Sequence, residues 1–197
     1  MAQLHHSPAW DPSKLHFEFP IPNKETRLKA LVLYISFECR ADPTFSETKL
    51  YKILFYSDFE AYGRYRAPIT GTRYKKFPFG PAPANFKRLQ DEMLSDRLIR
   101  VVKRRVHNHT RQCVLPLQDP NPSMFSERDM ALINKWIRFF WNMTAKEVSK
   151  FSHGIAWKVP NLGDPIPYDA VFISNDRVTY DEVEKVKELA KQHGWKT

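Results

Sequence analysis

Glycine is scarce, with 6 in 197 residues. No GxGxxG or Walker pattern is present, and Gly63, Gly71 and Gly80 do not sit between a strand and a helix start as a phosphate-cradling loop requires. Two cysteines, Cys39 and Cys113, are too few for a disulfide framework and read as reduced thiols. The longest apolar runs, such as Ala30 to Phe37, fall well short of the roughly 20 residues that span a bilayer. Met1 to Trp10 lacks a basic start followed by an apolar stretch, so no secretory leader is expected and the chain reads as cytoplasmic. Neither a GxSxG elbow nor an HExxH pair appears. Together these absences predict a protein with no catalytic residues, no cofactor and no membrane span.

What is present is charge and aromatic surface. The net charge is +9, with 42% hydrophobic and 14% aromatic residues. That composition predicts one folded domain with a real core and a preference for an acidic partner, either nucleic acid or protein. The densest basic run is Arg100 to Arg111, interrupted by Val101, Val102 and Val106.

Hydrophobic spacing predicts a mainly α fold with a small β-hairpin (α+β), built as a single compact helical domain around a central buried helix. Residues 1–22 carry Pro8, Pro12, Pro20 and Pro22 and read as a loosely attached, proline-rich arm with aromatic anchors at Trp10, Phe17 and Phe19. Asn23 is placed to cap a first helix running to about Arg40, with Leu28, Leu31, Val32, Ile35 and Cys39 on one face. Ser46 opens a second helix to about Tyr62, apolar around most of its circumference, with Gly63 as its stop. Residues 68–83 read as irregular, with one short strand at Arg73 to Lys76, and Pro83 as the first turn of a third helix ending near Ser95. Ile99 to Val106 and Arg111 to Leu117 read as a hairpin turning at Asn108-His109. Ser126 with Asp129, Thr144 with Glu147, and Thr179 with Glu182 form capping boxes for three further helices. The last of these buries Val183, Val186 and Leu189 and ends at Gly194.

The candidate chemistry is thin. His107, His109 and Cys113 have one ligand too few for a structural zinc, and no metal is expected. Cys39 lies on an inner face and reads as inert. Asp58 and Glu60, two apart on a helix, point in different directions. Asp58 reads as part of a helix-end polar network with Tyr62 and Arg64. The remaining feature is an aromatic and basic cluster on one irregular loop: Tyr62, Arg64, Tyr65, Arg66, Tyr74, Lys75, Lys76, Phe77 and Phe79. Tyrosine and arginine combine contact area with hydrogen bonding and dominate protein interfaces.

The order Lys49-Leu50-Tyr51-Lys52-Ile53-Leu54-Phe55-Tyr56-Ser57-Asp58, then Pro68-Ile69-Thr70-Gly71, then Phe77-Pro78-Phe79-Gly80-Pro81-Ala82-Pro83 resembles the Panacea domain, the SocA-like antitoxin family of bacteria and phages. A second block, Thr144 to Ser149 with His153 and Trp157, then Gly163 to Tyr168, resembles that family's later helix and close. Phe79 stands where the family often has Tyr, and neither residues 1–22 nor Arg100 to Leu117 carries a motif of it.

The resemblance implies a Panacea-like domain over residues 23–197, with a motif-matched core at 49–168. It also implies an antitoxin that neutralises a cognate toxin by direct binding. The toxin-facing residues expected on this reading are Tyr62, Arg64, Tyr65, Tyr74, Lys75, Lys76, Phe79 and Pro81. Two other functions are compatible with the sequence. One is a nucleic-acid-binding autoregulator using the basic run, although no helix-turn-helix signature is evident. The other is an adaptor presenting a partner to a protease.

Overall fold

The computed structural model describes residues 15–106, 109–158 and 160–172. Helix α1 spans Lys24–Glu38 and runs into a short 3-10 turn at Cys39–Ala41. Asn23 does precede α1, but it takes a left-handed conformation (φ 55°) and its side chain caps nothing. A side-chain cap needs an extended N-cap residue, and here only the Asn23 carbonyl enters the helix ladder, accepting from Arg27 N at 2.8 Å. Helix α2, Glu47–Tyr65, is the centre of the fold. The Ser46 hydroxyl accepts from Lys49 N at 3.3 Å and starts it as expected. It runs through Gly63 and ends where Arg66 turns left-handed at φ 56°. A Cβ at Gly63 would meet Val171 Cγ2 at 3.4 Å, ordinary contact, so this helical position does not require glycine.

The segment expected to be irregular supplies two strands of a three-stranded antiparallel sheet. Strand β1, Tyr74–Phe77, pairs with β2, Gly80–Pro83, on one side. On its other side it pairs with the short β5, Pro165–Ile166. Pro81 and Pro83 are strand residues, and the third helix starts only after Asn85. They fit because β2 is an edge strand. Ala84 N donates to Arg73 O at 2.8 Å, which puts residues 80, 82 and 84 in hydrogen-bonding register and turns both prolines to the free edge.

Helix α3, Phe86–Ser95, buries Phe86, Leu89 and Met93 as its periodicity predicts. Strands β3, Ile99–Val106, and β4, His109–Pro116, form the expected second hairpin. Helix α4, Glu127–Phe140, and helix α5, Ala145–Phe151, each begin with a complete capping box, at Ser126/Asp129 and Thr144/Glu147. A short α6, Ile155–Lys158, and a 3-10 turn at Tyr168–Phe172 complete the described chain. The mainly helical α+β class is as the sequence predicted. Trp10 and the helix expected at Thr179 to Gly194 lie outside the described residues.

Helix α2 packs against α1, α4, α5, β2, β4 and the Tyr168–Phe172 turn, and its Tyr51 ring meets Phe86 of α3 at 4.7 Å. Leu50, Ile53, Leu54, Phe59 and Ala61 are all essentially inaccessible. Residues 15–22 pack closely on this body. Phe19 N donates to Gly71 O at 3.0 Å and the Phe19 ring lies 5.1 Å from Tyr62. At Gly71 (φ +64°) a Cβ would sit 2.9 Å from Ile21 Cδ1, so only glycine lets this segment approach.

Candidate partner-binding site

Three charged side chains of α2, Lys49, Lys52 and Asp58, are buried inside a helix that is otherwise apolar on nearly every face. Lys49 and Asp42 form an ion pair at 2.5 Å with both side chains 1% exposed, and Lys49 Nζ also donates to Thr44 Oγ1 at 2.6 Å. Burial pushes Asp42 upward, but the Lys49 ammonium and the Thr44 bonds outweigh it and hold the carboxyl below its usual range. Burial lowers Lys49. Asp58 accepts from Thr70 N at 2.6 Å, Thr70 Oγ1 at 2.5 Å and Tyr74 OH at 2.8 Å. It thus staples α2 to the Pro68–Gly71 turn and to β1. Complete burial raises its pKa against the pull of those bonds. The helix-end network expected around Asp58 is therefore replaced by this internal one, because Asp58 faces the sheet while Arg64 pairs with Glu60 on the surface.

Lys52 is the third. Its Nζ donates to Pro81 O at 2.9 Å, and no carboxylate pairs with it among the described residues. Burial pushes its pKa down to about 7. Directly above it, Gly80 has φ +98°, and a Cβ there would overlap Ser152 Oγ and come within 2.7 Å of Lys52 Cε. The β1–β2 hairpin is therefore seated on α2 through Gly80, Lys52 and Ser152.

That seat holds an exposed tip. Phe79 is 71% exposed and Phe77 is 38% exposed. The hairpin behind them is braced. Trp157 Nε1 donates to Phe77 O at 3.0 Å, and Lys76 Nζ lies 4.3 Å over the Trp157 ring while donating to Pro160 O at 2.8 Å. His153 stacks on Trp157 at 3.8 Å. Burial lowers the His153 pKa, with the Lys52 and Lys76 charges adding to it. Between the tip and helices α2 and α3 lies a cleft of about 360 Å³, walled by Tyr51, Phe77, Phe79 and Phe86 with Lys52 at its floor.

The expected contact residues separate into three groups. Phe79 is at the tip, with Lys75 and Lys76 half-buried along β1. Arg64 and Tyr65 are exposed, with Arg128 lying 4.3 Å over the Tyr65 ring. They are 12 to 13 residues along α2 from Lys52, about 20 Å by helical rise, so the structure does not bring them beside the tip. Tyr62, Tyr74 and Pro81 are buried, which corrects their placement on the surface. Tyr62 donates to Asp169 Oδ1 at 2.8 Å, Tyr74 is fully enclosed, and Pro81 uses its carbonyl on Lys52. Phe77 belongs to the loop cluster that the sequence points to, whereas Lys52 and Trp157 stand in the family-like motifs with no site role expected of them. Lysines at positions 49 and 52 of an all-round apolar helix were the available signal.

Neither cysteine is poised for chemistry. Burial pushes the Cys39 thiol up to about 12, and the buried Cys113 donates to Phe45 O at 3.0 Å. His107 of the histidine–cysteine pattern lies outside the described residues. No described helix is long and apolar enough to cross a membrane.

No curated protein and no solved structure matches the chain. The family model described as antitoxin SocA-like, Panacea domain, matches residues 50–158. That span contains α2 from Leu50 onward, both hairpins, the Gly80–Lys52 seat and Trp157, and it is more than half of the chain. The chain belongs to the SocA-like antitoxin family and carries its Panacea domain.

Proposed function

We propose that this protein is the antitoxin of a toxin–antitoxin pair, acting in the cytoplasm by binding a cognate toxin protein directly, with no chemistry of its own. The observation that carries this reading is the β1–β2 tip. An aromatic side chain stands 71% exposed on a hairpin whose base is fixed by buried contacts, beside an aromatic-walled cleft. A rigid, preformed aromatic anchor loses little freedom on binding, and buried aromatics supply a large share of interface energy. Phe77, Phe79 and Lys75 are the central contacts on this reading. Arg64 and Tyr65 take part only with a partner that also reaches the far end of α2.

The test is co-expression with the reading frame adjacent to the gene. The wild-type chain restores growth when that frame is toxic, and Phe79→Ala, whose side chain supports no core, fails to. Full rescue by Phe79→Ala refutes the tip as the anchor. An adaptor that delivers the partner to a protease shares this surface, and it differs in that the toxin disappears when the two are expressed together.

A further inference from the structure

The β3–β4 ribbon lies outside the proposed toxin site and carries a different chemistry. Residues Ile99 to Pro116 contain Arg100, Lys103, Arg104, Arg105 and Arg111, with no aspartate, no glutamate and no phenylalanine, tyrosine or tryptophan. None of the five cations forms an ion pair among the described residues. Arg104 lies directly opposite Arg111 in the ladder, a like-charge pairing that costs stability in isolation. The inner half of the ribbon is anchored, since Ile99, Cys113 and Val114 are buried and β4 packs on α1. The outer half is not. Lys103, Arg104 and Arg105 are all exposed, and successive strand residues alternate faces, so both faces of the ribbon are open there.

A protruding two-stranded ribbon with cations on both faces fits between two rows of negative charge. The major groove of B-form DNA is about 12 Å wide and admits such a ribbon, whereas the major groove of duplex RNA is too narrow for side chains to read. The absence of phenylalanine, tyrosine and tryptophan leaves His107 and His109 as the only aromatic rings in the segment and removes the large stacking platform that single-stranded nucleic acid uses. It also removes the aromatic anchors usual in a protein interface. We infer that the β3–β4 ribbon is a phosphate-binding arm that enters the major groove of duplex DNA.

The experiment measures binding of the full chain to a fluorescent duplex DNA, a duplex RNA of equal length and the single strand, between about 50 and 200 mM salt. The arm holding four phosphates predicts a log–log salt slope of about −3 to −4, roughly a hundredfold loss across that range. The variant Arg100→Gln/Lys103→Gln/Arg104→Gln/Arg105→Gln should keep its melting temperature, lose most of that slope and still rescue growth beside the toxin. Duplex DNA should bind more tightly than duplex RNA. Absence of duplex binding at low salt, an unchanged slope in the variant, or equal affinity for the single strand or RNA overturns the inference. So does loss of rescue in the folded variant without any DNA binding by the wild type, which assigns the ribbon to the toxin instead.

Discussion

Lys52 sits at the floor of the site with no counter-ion among the described residues, and this has a thermodynamic consequence. An exposed lysine in the unfolded chain titrates near 10.4, while burial holds Lys52 near 7. Between those values the unfolded chain binds more protons than the folded one, so stability rises as pH climbs from about 7 to about 10 and the penalty is complete below 7. Lys49, also lowered by burial, contributes in the same direction. Above pH 10 the buried tyrosines oppose the trend, since burial raises Tyr62 to about 12. Urea denaturation across this range should show the rise, and Lys52→Met should flatten it and gain on the order of a few kcal/mol near pH 7. An unchanged pH slope in Lys52→Met would show that Lys52 titrates normally in the fold. Asp58 has the opposite character. Its three donors leave buried N–H and O–H groups unpaired in Asp58→Ala, and a loss of roughly 3 kcal/mol or more in the same assay is expected.

Two glycines separate backbone need from tolerance at the scale of elements. Gly80 combines a positive φ with a collision at Ser152 and Lys52, so Gly80→Ala should destabilise by about 2 to 4 kcal/mol and loosen the β1–β2 tip. Gly63 is helical with room for a methyl group, and Gly63→Ala should be neutral or stabilise by up to about 1 kcal/mol. Thermal melts of the two variants should move in opposite directions.

The same elements show what the sequence could reveal. Helices α2, α4 and α5 were legible because capping residues and apolar spacing agree locally. Strand β2 was not, because Gly-Pro-Ala-Pro carries no strand propensity. It becomes a strand only through pairing with β1 and through the contact of Gly80 with Lys52. The end of α2 was misplaced because a helical glycine and a stopping glycine look alike until the packing of Val171 is known. Within the site, residue type pointed to the right segment, but Tyr74 and Phe79 are both aromatic, and only the fold sets Tyr74 inside on β1 and Phe79 outside in the turn at the hairpin tip.

For the whole molecule, α2 is a hub that carries two different surfaces on its flanks. One is the braced aromatic tip and cleft on β1–β2. The other is the basic ribbon β3–β4, whose inner half packs on α1 and α2. A chain of net charge +9 can place both an apolar and a cationic contact on one rigid core without either disturbing the other. Variants confined to the tip and variants confined to the ribbon should then be additive, since they share no contact.

If Phe79 anchors a toxin, affinity depends on its ring. Isothermal titration of the purified chain with the product of the adjacent gene tests it most directly, comparing wild type with a Phe79→Ala variant whose melting temperature is unchanged. A dissociation constant weakened at least about tenfold by the substitution is expected. Equal affinity for wild type and variant would contradict it.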